Sequence, residues 1–67
     1  MNAKQYRDTL KRLELSHVEA GRLLMTEPRS SRRWAAGDRA VPESVAILLR
    51  LMARGKLTAA DIEAAHR

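Results

Sequence analysis

The sequence predicts an all-α fold, a bundle of about five short helices. Three observations lead there. Apolar residues recur at helical rather than alternating spacing; helix-start signals recur at Asn2, Ser16, Pro28, Pro42 and Thr58; and Gly37 and Gly55 follow periodic segments as C-terminal stops. The 67 residues form one expected domain, residues 1–67. A domain of that size buries only about 60% of the surface its unfolded chain exposes, which leaves room for one small core and none for an enclosed active site.

The first helix opens at Asn2, with Gln5 at the reciprocal position of a capping box. Tyr6, Leu10 and Leu13 then fall on one face, joined by Ala3, while Lys4, Arg7, Lys11 and Arg12 lie largely elsewhere. Ser16-His17-Val18-Glu19 repeats the capping signal and starts a second helix at about 17–24. Val18, Leu23 and Leu24 are its apolar residues, and the small Ala20 and Gly21 would let another helix cross closely. After Met25-Thr26-Glu27, Pro28 suits the first position of a third helix, about 28–36, which Gly37 stops.

Pro42 marks the fourth helix, with Glu43 in its first turn and an end at Arg54 and Gly55. It is the most apolar segment, surrounded on nearly all sides, and so is expected to be central to the domain or shared with a partner. Thr58-Ala59-Ala60-Asp61 caps a short fifth helix, and Leu57 can pack on Ile62 as a hydrophobic staple. No strand, repeat or low-complexity tract is apparent.

Composition narrows the function. Thirteen Lys and Arg stand against eight Asp and Glu, a formal charge of +5 that favours a polyanionic partner. The absence of Cys removes disulfides and thiolate metal sites and is compatible with a reducing cytoplasm. The longest apolar run, residues 45–49, is far short of the roughly 20 needed to span a bilayer, so neither a membrane span nor a signal peptide is expected. His17 and His66 have no clustered second ligand, and no nucleophile-and-base pair is present, so no metal, cofactor or enzymatic activity is expected.

Within residues 16–37, SHVEAGRLLMTEPRSSRRWAAG resembles the Cro/C1-type, or XRE-like, helix-turn-helix family of transcriptional regulators. Ser16, Leu24, Ser30, Trp34 and Gly37 match the family pattern, and SRRWAAGDRAVP looks like the SRRWxxGxRPVP form of small regulators of this type. Three positions depart from it. His17 stands where Gln is preferred, Met25 where Gly is usual in the turn, and Ser31 where Val or Ile is usual on the buried side of the recognition helix. A left-handed Met25 would carry strain of about 1 kcal/mol, and Ser31 would give up about 1–2 kcal/mol of apolar burial.

The resemblance implies that the helix from Pro28 lies in the major groove of double-stranded DNA while the preceding helix spans the backbone. Carried over position by position, it places Pro28, Arg29, Arg32 and Arg33 toward base edges and turns Trp34 inward. Arg29 and Arg33 are the expected guanine readers, since the guanidinium fork donates two hydrogen bonds to O6 and N7; Arg32 is left between base and phosphate. His17, Ser30 and Arg39 are implied as phosphate contacts.

One such module gains limited contact area and usually pairs on an inverted repeat with half-sites about 34 Å apart. A homodimer is therefore expected through residues 42–66: some of Val45, Leu48, Leu49, Met52, Leu57 and Ile62 must form the core, but a domain of this size is not expected to hide them all, so the six are candidate interface residues. The expected function is a cytoplasmic repressor without a small-molecule effector, controlling its own promoter and similar in build to compact regulators carried by phages and mobile elements. The alternative is a protein-binding module, an antitoxin or inhibitor in which the arginines meet an acidic protein surface, since fold does not settle function.

Overall fold

The computed structural model describes residues 1–66. Among them are five helices and no strands: α1 (Ala3–Arg12), α2 (His17–Leu23), α3 (Pro28–Ala36), α4 (Glu43–Ala53) and α5 (Ala59–Ala65). The Cα radius of gyration, 10.9 Å, matches the value of about 11 Å expected for a folded chain of this length. None of the described helices is long and apolar enough to cross a membrane.

The starts form where the sequence places them. Asn2 accepts from the Gln5 N–H while the Gln5 side chain accepts from the Asn2 N–H, and Ser16 with Glu19 and Thr58 with Asp61 repeat this reciprocal box. Pro28 opens α3 directly after Glu27. Pro42 instead sits one residue outside α4, its ψ of 143° still extended.

Four helix ends share another device. After α1, α2, α3 and α4, the chain takes one left-handed residue, respectively Glu14, Met25, Gly37 and Gly55, with φ of 57°, 55°, 82° and 72°. In each the next N–H reaches back five residues to a helix carbonyl: Leu15 to Leu10, Thr26 to Gly21, Asp38 to Arg33 and Lys56 to Leu51, at 2.8–2.9 Å. These are Schellman closures, which satisfy carbonyls left open at the helix end. Glycine fills the left-handed position only after α3 and α4.

The core gathers around Tyr6, Leu10, Leu23, Trp34, Leu49 and Ile62, with Leu13, Leu15, Leu24 and Leu57 packed at its edge. Tyr6 and Trp34 meet edge to face, centroids 5.7 Å apart and planes at 83°, a geometry that suits the ring quadrupoles. Trp34 is thus the core anchor its spacing predicts. α3 packs on both α1 and α2, α4 on α1, and α5 on α2.

Burial corrects several expectations. Val45, Leu49, Met52 and Ile62, expected at a dimer interface, lie in the chain's own core, with Leu49 wholly buried. Leu48 and Leu57 are half-buried, and Ile47 is the large apolar residue of α4 left exposed. Val18 and Met25 also face solvent, Met25 at 75% exposure, so neither packs as core. Gly21 does admit a close neighbour, but that neighbour is the turn's own backbone: a Cβ there would lie 2.8 Å from the Thr26 carbonyl oxygen.

Candidate nucleic-acid interface

At about 100° per residue, the buried Ser31, Trp34 and Ala35 define the inner side of α3. Arg29, Arg32, Arg33 and Ala36 fall on the opposite side, and all four are exposed. Pro28 and Ser30 lie between the two and are half-buried. The structure therefore brings the four residues expected at base edges, Pro28, Arg29, Arg32 and Arg33, onto one surface and its border.

That surface is cationic and unneutralised. Among the described residues the ion pairs are Lys4–Asp8 at 2.9 Å and Arg50–Glu43 at 3.2 Å, neither on α3. Asp8 is held below its ordinary pKa by its hydrogen bond and charge pairing with Lys4. Between Pro28 and Arg39, four arginines stand against Asp38 alone. Arg39 is exposed just beyond the α3 stop, its backbone N–H 3.4 Å from the Arg33 carbonyl oxygen. The first turn of α3 receives no side-chain cap.

The inner side of α3 is fixed by polar contacts that the sequence did not announce. Ser31 is completely buried, yet its Oγ lies 2.6 Å from the Tyr6 hydroxyl and 2.7 Å from Nδ1 of His17. One hydroxyl thus ties α1, α2 and α3 together. Burial raises the Tyr6 pKa above its ordinary value, opposed by the hydrogen bond with Ser31. At the other end of α3, Arg7 Nη1 donates to the Ala35 carbonyl at 2.7 Å, satisfying an acceptor that the helix leaves open. Helical spacing cannot reveal either link, because the partners lie 25, 14 and 28 residues apart.

His17, half-buried at the start of α2, is the expected phosphate contact whose side chain makes a hydrogen bond among the described residues. With Arg7, Leu10, Lys11, Leu15, Ser16 and Ala35 it lines an open groove of about 300 Å³ between α1, α2 and α3. Ser30 and Arg39 stand apart from it, at the two ends of α3. Among the described residues no three His, Cys, Asp or Glu side chains converge to hold a metal ion. Comparison of the chain with protein-family profiles, with curated proteins and with solved structures finds no match.

Proposed function

We propose that this chain is a sequence-specific double-stranded DNA-binding regulator of transcription, acting in the cytoplasm as a homodimeric repressor of its own promoter. The observation that carries the reading is the outward side of α3, where three arginines without ion-pair partners among the described residues back onto a buried side. In this reading α2 and α3 form a helix-turn-helix, α3 enters the major groove, and Arg29 and Arg33 donate bidentate hydrogen bonds to guanine. Ser30, Arg39 and His17 meet phosphate oxygens, and Arg32 reaches a base edge or a phosphate.

The core leaves less of α4 for pairing than its composition promises. Ile47, Leu48 and Leu51 form a stripe along one side of the helix, exposed or half-buried, and Leu57 adds to the apolar surface. Joining two copies there would set two α3 helices on an inverted repeat. Ile47→Asp should then convert dimer to monomer in analytical ultracentrifugation at tens of micromolar, whereas a monomeric parent chain would remove the pairing from the proposal.

Binding to fragments from upstream of the gene across a salt series tests the main reading. A DNA reader loses affinity steeply and linearly on a log–log salt plot while keeping its preference for one inverted repeat. Arg29→Ala or Arg33→Ala should relax the preference at one base pair, at about 1–3 kcal/mol. Equal losses on every sequence would make them phosphate contacts, and weak, sequence-blind attachment would turn the arginines toward an acidic protein surface instead.

A further inference from the structure

We propose that the buried Tyr6–Ser31 pair fixes His17 as its Nε2–H tautomer, making the groove between α1, α2 and α3 a site for a phosphate oxygen that His17 and Lys11 hold together. This rests on the DNA-binding reading only for the source of the phosphate.

A serine hydroxyl has one hydrogen to donate, and Ser31 Oγ has two neighbours within hydrogen-bond distance, the Tyr6 hydroxyl and His17 Nδ1. Tyr6 is wholly buried, and Ser31 Oγ is the hydrogen-bond partner of its hydroxyl among the described residues. If Ser31 donated to Tyr6, the phenolic hydrogen would be left buried without an acceptor, a costly arrangement. Tyr6 therefore donates to Ser31; the buried Ser31 hydrogen, with no acceptor among the described residues other than His17 Nδ1, is donated there. Nδ1 is thereby an acceptor, and the ring proton of the neutral imidazole sits on Nε2.

The surroundings match an oxyanion. Arg7, Lys11 and His17 line the groove, and no carboxylate among the described residues does. Arg7 is already committed to the Ala35 carbonyl, whereas the Lys11 ammonium makes no ion pair among the described residues. Lys11 supplies charge, His17 supplies a directed donor, and Leu10, Leu15 and Ala35 give the apolar walls. Ser31, where the resemblance leads one to expect Val or Ile, is thus a positioning residue acting through His17.

Long-range proton–nitrogen NMR of the labelled full chain, at a pH where both histidines are neutral, reads the tautomer directly. The exposed His66 serves as an internal reference for an unconstrained ring. His17 should carry its proton on Nε2 alone, and Tyr6→Phe should return it to the mixture shown by His66. A wild-type His17 already like His66, or protonated on Nδ1, would overturn the proposal even if Tyr6→Phe fails to fold. Titration with inorganic phosphate and then with a short mixed-sequence duplex separates the sources. A shift of His17 with phosphate alone supports a small-anion site and, if no duplex binds, removes the DNA reading while keeping this one. A shift with duplex supports the DNA backbone as source; duplex that moves the α3 arginines but not His17, or no shift with either probe, overturns the site. On the duplex, Lys11→Ala should lower the log–log salt slope by about 0.9, while Tyr6→Phe should weaken binding several-fold at unchanged slope.

Discussion

A methyl group at Gly21 would lie 2.8 Å from the Thr26 carbonyl oxygen and 3.1 Å from the Pro28 nitrogen, whereas one at Gly55 would meet nothing within 4 Å. The corner between α2 and α3 and the corner between α4 and α5 both depend on glycine, but for different reasons. At Gly55 the need is conformational, a left-handed φ of 72° in open space. At Gly21 it is steric: the residue is helical, and the returning turn passes directly over it. The left-handed position of that turn falls to Met25 instead. One corner is built for close approach and the other for easy reversal, and the close one carries the proposed recognition helix.

Gly21→Ala should break this contrast most severely. Alanine gains about 1 kcal/mol of helix propensity over glycine, but the clash is with backbone, which cannot rotate away as a side-chain tip can. Displacing the turn also lengthens the 2.8 Å bond from the Thr26 N–H to the Gly21 carbonyl. A net loss of about 2 kcal/mol is expected, or roughly 10 °C in melting temperature for a domain of this size. An unchanged melting temperature would show that the turn has room to move.

Ser31→Val probes the close corner from its buried side. Valine adds about 1–2 kcal/mol of apolar burial, but it leaves the Tyr6 hydroxyl buried and unpartnered at about 1–3 kcal/mol and crowds a site with no free surface. The single change should destabilise by about 1 kcal/mol. Adding Tyr6→Phe removes the orphaned hydroxyl and should recover part of the loss; urea unfolding of the two variants measures the difference.

Exchanging the two left-handed residues has a smaller effect, of opposite sign at the two corners. Gly55→Ala places a Cβ in the disfavoured region at about 1 kcal/mol, offset in part by the freedom that alanine removes from the unfolded chain, for a net loss of about 0.5 kcal/mol. Met25→Gly relieves a similar strain, loses little packing because Met25 is 75% exposed, and adds about 0.4–1 kcal/mol of unfolded-chain freedom. A net gain of about 0.5 kcal/mol is expected, read as a modest rise in melting temperature. A fall would mean that the Met25 side chain contributes more than its exposure suggests.

The same contrast separates what the sequence could and could not tell. Asn2, Ser16, Pro28, Gly37, Gly55 and Thr58 act on backbone groups within a few residues, so their roles were legible as soon as their spacing was read. Ser31 was legible only as lost apolar burial, because its compensation comes from Tyr6 and His17, which only the fold brings near. Gly21 announced a close approach but not its partner, and the left-handed Glu14 gave no signal at all. In α4 the nearly continuous apolar run hid which residues face inward, and four of the six assigned to a partner proved to be core. The outward arginines were legible as a surface because helical period alone separates them from Trp34.

The smallest expected effect compares the caps of the helices at the two corners. Glu19 and Asp61 are both held below their ordinary pKa by the backbone and side-chain hydrogen bonds of Ser16 and Thr58 respectively, and Glu19 is lowered further by the charge of Arg22. A carboxylate whose folded pKa is depressed stabilises the fold above its unfolded pKa, about 4.3 for Glu and 3.9 for Asp. That contribution fades as pH falls through the lower folded value. Glu19→Gln and Asp61→Asn keep an acceptor for the cap but remove the charge. Each should lower the melting temperature slightly at pH 7, and the difference from the parent chain should vanish in acid. Because Arg22 acts on Glu19 alone, Glu19→Gln should lose more than Asp61→Asn, and high salt, which screens an exposed pair, should bring the two losses together. Equal losses at low salt would mean that hydrogen bonding, not charge, sets both caps.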